Sequence, residues 1–437
     1  MNLGEVSAFL AVLLIVLLAG GLWIAVAMIV VGAVAVTFFT NTNAGALLAT
    51  TVFGGSTDWA LTALPLFILM GEILFRTKLA SQMFTGLSPW LARLPGRLAH
   101  TNVLACGIFA AVSGSSTATT ATIGRITVAE LTRRGYDDKM VLGSLAGSGT
   151  LGILIPPSLI MIVYGVAADV PITHLFIAGV LPGILLMSLF ASVVAGDALL
   201  HPGKVPPPEP PTTFMEKLRA SRELIPVIVL ILGVIGSLYF GIATATEAAG
   251  VGVVGALLIA AWSGTLTGKT FRDALYAAVR TNCMIFFILS GSMFLTGAMG
   301  FTGIPGKLAA IVGEQGFTPG QIILVLTLLM MILGCFIDGI SIVVLTTSVL
   351  MPVITAAKID PLWFGVYMVF VVEMGLVTPP VGFNLFVIQG LTKRDLPYIA
   401  WAALPYFLAM SVAVLLVWYF PQIVTWLPAQ MSSGPMK

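Results

Sequence analysis

An all-α polytopic membrane protein built from two related halves is what the sequence predicts, on three observations. Of its 437 residues, 58% are hydrophobic and 9% charged, and the mean hydropathy is +1.07, whereas soluble domains carry about 25% charged residues. Apolar runs of about 18 or more residues recur along the whole length, the helical signature, in place of the alternating segments of about ten that a barrel would show. Finally, Gly152-Ile-Leu-Ile-Pro-Pro-Ser158 returns as Gly375-Leu-Val-Thr-Pro-Pro-Val381. Each puts a double proline inside an apolar segment. Proline lacks the N–H donor and excludes the carbonyl one turn back, so both segments must break and free polar backbone at a depth where lipid cannot satisfy it.

The first apolar run shows no basic region before it and continues past any cleavage point, so it is expected to remain in the protein. Ser7–Thr40 is too long for one untilted helix and divides at Gly20-Gly21. Trp59–Phe75 gives a third span. The segment at 98–126 has a polar centre, Ser113-Gly-Ser-Ser-Thr-Ala-Thr-Thr120, and is expected to dip into the bilayer and return as a hairpin. A helix at 141–167, broken at Pro156-Pro157, and a span at Leu175–Leu199 complete a first repeat over 1–200. Residues 201–224 are a proline-rich linker ending in a short amphipathic helix, Phe214–Glu223.

A second repeat is expected over 225–420, with its hairpin at 320–356, its broken helix at 362–390 and a tail at 421–437. Gly152, Pro156, Pro157 and Pro182 match Gly375, Pro379, Pro380 and Pro405 at a constant offset of 223, and Phe67-Ile-Leu-Met-Gly71 matches Phe287-Ile-Leu-Ser-Gly291 at 220. Ser113-Gly114 falls opposite Asp338-Gly339 at an offset of 225. If both hairpins re-enter, 17 of the 20 Lys and Arg residues lie on one face. That is the cytoplasmic one by the positive-inside rule. The halves are then inverted, each with five spans and one hairpin.

Inverted repeats with broken helices and midplane tips are the architecture of secondary transporters. In the first half the tip supplies Ser113, Gly114, Ser115, Ser116 and Thr117, facing the break from Gly152 through Pro156 and Pro157 to Ser158. In the second, Asp338, Gly339 and Ser341 face Thr378, Pro379, Pro380 and Asn384. Hydroxyl, carbonyl and carboxylate oxygens suit a hard alkali cation better than a transition metal. Asp338 is either a cation ligand or the cap of a helix start. Glu373, ahead of the second break, and Glu72 carry the same question in weaker form, and Glu247 reads as a helix cap. Arg125 closes the first hairpin, either as a planar clamp for a substrate carboxylate or as one more positive-inside charge.

Other chemistry finds little support. Cys106, Cys283 and Cys335 read as small core residues and the three histidines lie far apart, so no catalytic triad and no metal site beyond an alkali cation is expected. No Gly-x-x-x-x-Gly-Lys-Ser/Thr pattern occurs, and nothing points to nucleic acid. Tryptophans 59, 262, 363, 401 and 418 read as interfacial anchors.

Gly114-Ser-Ser-Thr-Ala-Thr-Thr-Ala-Thr-Ile-Gly-Arg125, Arg134-Gly-Tyr136, Gly147-Ser-Gly-Thr-Leu-Gly-Ile-Leu-Ile-Pro-Pro-Ser158, Gly241-Ile-Ala-Thr-Ala-Thr-Glu-Ala-Ala249 and Asp338-Gly-Ile-Ser341 together resemble the large membrane subunit, of DctM or SiaM type, of the tripartite ATP-independent periplasmic (TRAP) transporters. The resemblance runs from Met1 to about Trp426. It departs at Ala245, where the family more often has proline. It implies sodium-driven import of an organic acid across the bacterial inner membrane, with a periplasmic solute-binding protein and a small four-helix membrane subunit as partners. It also implies elevator movement and sodium ligands at Ser113–Ser116 with Gly152–Ser158 and at Asp338–Ser341 with Thr378–Pro380. A stand-alone sodium/dicarboxylate carrier and a channel are the competing expectations.

Overall fold

Apolar runs of helical length become helices here because a bilayer offers the backbone no other partner. The computed structural model describes residues 3–207, 212–307, 310 and 317–432, and they contain α and short 3-10 helices with no strand among them. Leu3–Ala19 (α1) and Ile24–Phe39 (α2) part at Gly20-Gly21 as expected, with Gly21 at φ +79°. Asn43 then caps Ala44–Ser56 (α3) through a 3.0 Å bond to the Ala46 N–H. This helix, which the apolar runs do not mark, bends by 59° into the segment holding Ala63–Phe75 (α4). Leu79–Leu91 (α5) leads to the first hairpin, His100–Ser113 (α6) and Ser116–Arg133 (α7).

The first broken helix is Asp138–Leu154 (α8) and Leu159–Ala168 (α9), bent by 42°, and Ile172–Leu200 (α10) follows. Phe214–Ser221 (α11) is the short surface helix, started by a Thr213/Glu216 capping box. The Thr213 backbone N–H and hydroxyl hold the Glu216 carboxyl below its ordinary range. The proline-rich residues 208–211 lie outside the described residues.

Ile225–Tyr239 (α12), Ala245–Trp262 (α13) and the 35-residue Gly268–Thr302 (α14) open the second half. A second hairpin, Pro319–Gly334 (α15) and Gly339–Ala356 (α16), precedes the second broken helix, Pro361–Leu376 (α17) and Phe383–Thr392 (α18). Leu396–Tyr419 (α19) and Gln422–Ser432 (α20) close the described chain. Among the described residues five helical segments are long and apolar enough to cross a membrane, with the continuous stretch Phe214–Tyr239 of α11 and α12 taken as one, or eight if each bent pair counts as one span. The protein is therefore a multi-pass membrane protein.

Four details depart from expectation. The arm α7 runs seven residues past Ile126 because Glu130 pairs with Arg133 and Arg134 at 2.6 and 2.7 Å, giving a polar last turn its own i,i+3 and i,i+4 support. The tail holds a helix, α20, which packs on α10 and buries Val424. Trp363 is no interfacial anchor: it is buried, stacks on Tyr367 at 5.2 Å, and donates its indole N–H to the Val417 carbonyl. Cys283 is exposed on α14 and not a core residue.

Two packed groups result. Around α14 gather α2, α3 and α4, with α13 on α4. The other group centres on α8 and α17, with both hairpins, α10 and α19 around them. Contact between the groups involves the hairpins, where Gly71 of α4 lies against the carbonyls of Val112 and Ser113 and Ser292 of α14 donates to the Val344 carbonyl of α16 at 2.9 Å, and also α9 and α10, where Phe67 of α4 meets the Phe176 ring at 5.7 Å.

Candidate functional site: two tips and two breaks

Four helix pairs end at one place. Gly114 adopts φ +60° at the end of α6, a left-handed turn that glycine makes at little cost, and its carbonyl accepts from Leu159 N–H at the start of α9. A Cβ on Gly114 would stand 3.0 Å from the Pro157 carbonyl oxygen, and one on Gly152 only 2.4 Å from the Ser115 carbonyl oxygen. The first tip and the first break are thus in backbone contact, which only glycine permits.

At that tip, Ser115 caps α7 through the Ala118 N–H, Ser113 Oγ lies 2.6 Å from Thr119 Oγ1, and the Thr119 hydroxyl donates to the Ser115 carbonyl at 2.8 Å. Ser115 and Thr117 hydroxyls stand 3.3 Å apart. Beneath them Pro156, Pro157 and Ser158 are buried. Ser158 spans its own break: the hydroxyl donates to the Ile153 carbonyl at 2.5 Å and accepts from the Met161 N–H at 3.3 Å. One carbonyl freed by the prolines and one orphan amide of α9 are satisfied by a single side chain.

The second half contributes to the same place. Asn384, on the first turn of α18, accepts from the Ser116 hydroxyl at 2.9 Å, and its Nδ2 lies 2.6 Å from that same oxygen. Both residues are buried, so residues 268 positions apart join the first tip to the second break. Asp338 caps α16, accepting the Ser341 N–H at 3.2 Å and the Ser341 hydroxyl at 2.5 Å. Gly339 beside it leaves no room for a Cβ, which would meet Ile160 of α9 and Val372 of α17 at 2.7 and 2.8 Å. Gly334 and Gly375 bring α15 and α17 into backbone contact in the same way. Thr378 donates to the Met374 carbonyl at 2.6 Å, and Pro379 and Pro380 are exposed.

The arrangement is crossed. The second arm of each hairpin packs along the second part of the other half's broken helix, α7 with α18 and α16 with α9. N-termini of α7, α9, α16 and α18 therefore meet C-termini of α6, α8, α15 and α17. Helix N-termini favour anions and helix C-termini favour cations, so one place can hold both.

Sequence-selected residues divide as follows. Ser113–Thr117, Gly152–Ser158 and Asn384 are brought together, as are Asp338, Gly339 and Ser341 with α9 and α17. Arg125 stands apart: it is exposed, has no partner among the described residues, and follows Thr117 by two turns on one face of α7, about 12 Å along the axis. Glu72 pairs with Arg76, and Glu247 forms a capping box with Thr244. Thr119, inside the polar run Ser113–Thr120 but not among the individual residues chosen as ligands, also contributes. Its signal is the i+4 spacing from Ser115, which puts its hydroxyl over the tip.

The chain matches, over residues 11–423, the family described as "Tripartite ATP-independent periplasmic transporter, DctM component". It belongs to that family. It is similar to the C4-dicarboxylate TRAP transporter large permease protein DctM of Pseudomonas aeruginosa, at 33% identity over 87% of this chain and 89% of that one. It is also similar to the sialic acid TRAP transporter large permease protein SiaM of Vibrio cholerae, at 28% identity over 91% and 92% of the two chains. A solved structure, the Alcanivorax borkumensis YdaH transporter, described as having an unusual topology, shares the fold at a TM-score of 0.61 and 14% identity, covering 94% of this chain and 98% of that one. This TRAP permease is accordingly a transport protein and not an enzyme.

Proposed function

We propose that this permease imports an organic acid across the bacterial inner membrane by sodium symport, taking the substrate from a periplasmic solute-binding protein and working beside a small four-helix membrane subunit. The observation that carries the reading is the meeting of two glycine-hinged tips with two double-proline breaks, which gathers serine, threonine and aspartate oxygens with helix termini of both signs. In this reading Ser113–Ser116 with Gly152–Ser158 hold one sodium ion, and Asp338, Gly339 and Ser341 with Thr378–Pro380 hold another. The substrate carboxylate meets the N-termini of α7 and α18 at Thr117 and Asn384, with Arg125 on its path along α7. The halves are inverted in the membrane, and the group around α8 and α17 moves as an elevator against the group around α14.

Family membership and the names of the similar permeases support an organic acid, C4-dicarboxylates and sialic acid being the named examples. The test is reconstitution in proteoliposomes with each component added in turn. Uptake that needs both the binding protein and an inward sodium gradient is expected. Uptake by this chain alone would replace the tripartite reading with a stand-alone carrier.

A further inference from the structure

Glu373 is a buried charge-bearing side chain that neither tip nor break uses. It lies on α17 two residues before Gly375, is 0% exposed, and neither carboxyl oxygen has a hydrogen-bond partner among the described residues. An anion so placed has lost its water and gained no donor, an arrangement that proteins avoid unless the group is neutral or serves a function. Its neighbours on the same face of α17, Val369, Phe370, Leu376 and Val377, are buried and apolar. The helix itself thus offers no second side-chain oxygen to a hard cation, which takes several.

The elements packed on α17 are α8, α9, α10, α15, α16, α18, α19 and α20. Their ionisable residues are Asp138 and Lys139 on α8, Tyr164 on α9, His174 and Asp197 on α10, and Tyr398, Tyr406 and Tyr419 on α19, with Asp338 capping α16. None forms a hydrogen bond or ion pair with Glu373. On α17 itself, Tyr367 spends its hydroxyl on the Ile323 carbonyl and Thr327. The exposed Pro379 and Pro380 begin six residues after Glu373 on the same segment.

We propose that Glu373 is a proton-binding site of the transport cycle, neutral while α17 is packed as in this structure and giving its proton to water when movement at the second break opens the segment. The step is a simple transfer: the carboxyl O–H breaks, a hydronium ion leaves, and the carboxylate is re-protonated from the aqueous side before α17 repacks. A proton needs one oxygen where sodium needs several, which is why this site takes the proton. The inference rests on the transport reading for its place in a cycle, while the protonation state can be tested without transport.

The test is infrared spectroscopy of the full-length protein in lipid nanodiscs. A protonated-carboxyl C=O band that persists to about pH 8, is lost in Glu373→Gln and returns, shifted, in Glu373→Asp is expected. No band lost in Glu373→Gln, with thermal unfolding unchanged, would overturn the proposal. In proteoliposomes with the complete transporter, wild-type uptake is expected to change about threefold or more between about pH 6 and about pH 8, and the Gln variant less than about 1.5-fold. Equal pH profiles with an altered sodium requirement would instead make Glu373 a sodium ligand and overturn the proton assignment. Sodium-independent uptake would count against the transport reading alone.

Discussion

The two double-proline breaks share a spacing and differ in how they are closed. At the first, both prolines and Ser158 are buried, the Ser158 hydroxyl bridges the gap to Ile153, and the first hairpin tip sits on the break through Gly114 and Gly152. At the second, both prolines are exposed, Val381 occupies the place of Ser158, and α18 starts at Gly382, φ +58°, without a side-chain cap. Thr378 turns back to Met374 instead. The same backbone problem is thus met once by a hydroxyl and a lid of chain, and once with the prolines left uncovered. One break is covered and the other is exposed.

The largest effect expected from this difference is in accessibility. With exposed Cys283 replaced by serine, a cysteine at Pro380 should react with a water-soluble thiol reagent about tenfold or more faster than one at Pro157. Equal rates would erase the distinction. Next is packing. Gly152→Ala forces a methyl onto the Ser115 carbonyl, an overpacking cost of about 1–3 kcal/mol, and should lower the thermal unfolding temperature and abolish uptake; a variant with unchanged stability would show that the tip does not rest on the break. A smaller contrast follows from the hydroxyl. Ser158→Ala leaves the Ile153 carbonyl and the Met161 amide unpaired and should cost about 1–3 kcal/mol, whereas Val381→Ser at the equivalent position should change stability by less than about 0.5 kcal/mol. Denaturation of the two variants side by side measures it.

Much of this was legible in the chain. Prolines 156, 157, 379 and 380 mark the breaks because no other residue so directly forbids the helical bond, and the polar run from Ser113 marks a tip because lipid rejects it. The pairing of tips with breaks across the two halves was not legible. Ser116 and Asn384 are 268 residues apart, and nothing in either segment names the other; the crossing arises only when α7 and α18 pack side by side. Glycine contacts such as Gly334 on Gly375 are equally silent in sequence, since a glycine used for close approach looks like any other. Trp363 was misread because a tryptophan near a span end serves equally well as an anchor or a core ring.

Sodium binding at the two tips is what the proposed symport requires. In proteoliposomes with the complete transporter, uptake measured against sodium concentration should show a higher half-saturating sodium concentration for both Ser113→Ala and Asp338→Asn, one from each tip, with expression and folding unchanged. Uptake that is equal in potassium, or sodium curves for both variants that superimpose on the wild type, would contradict it.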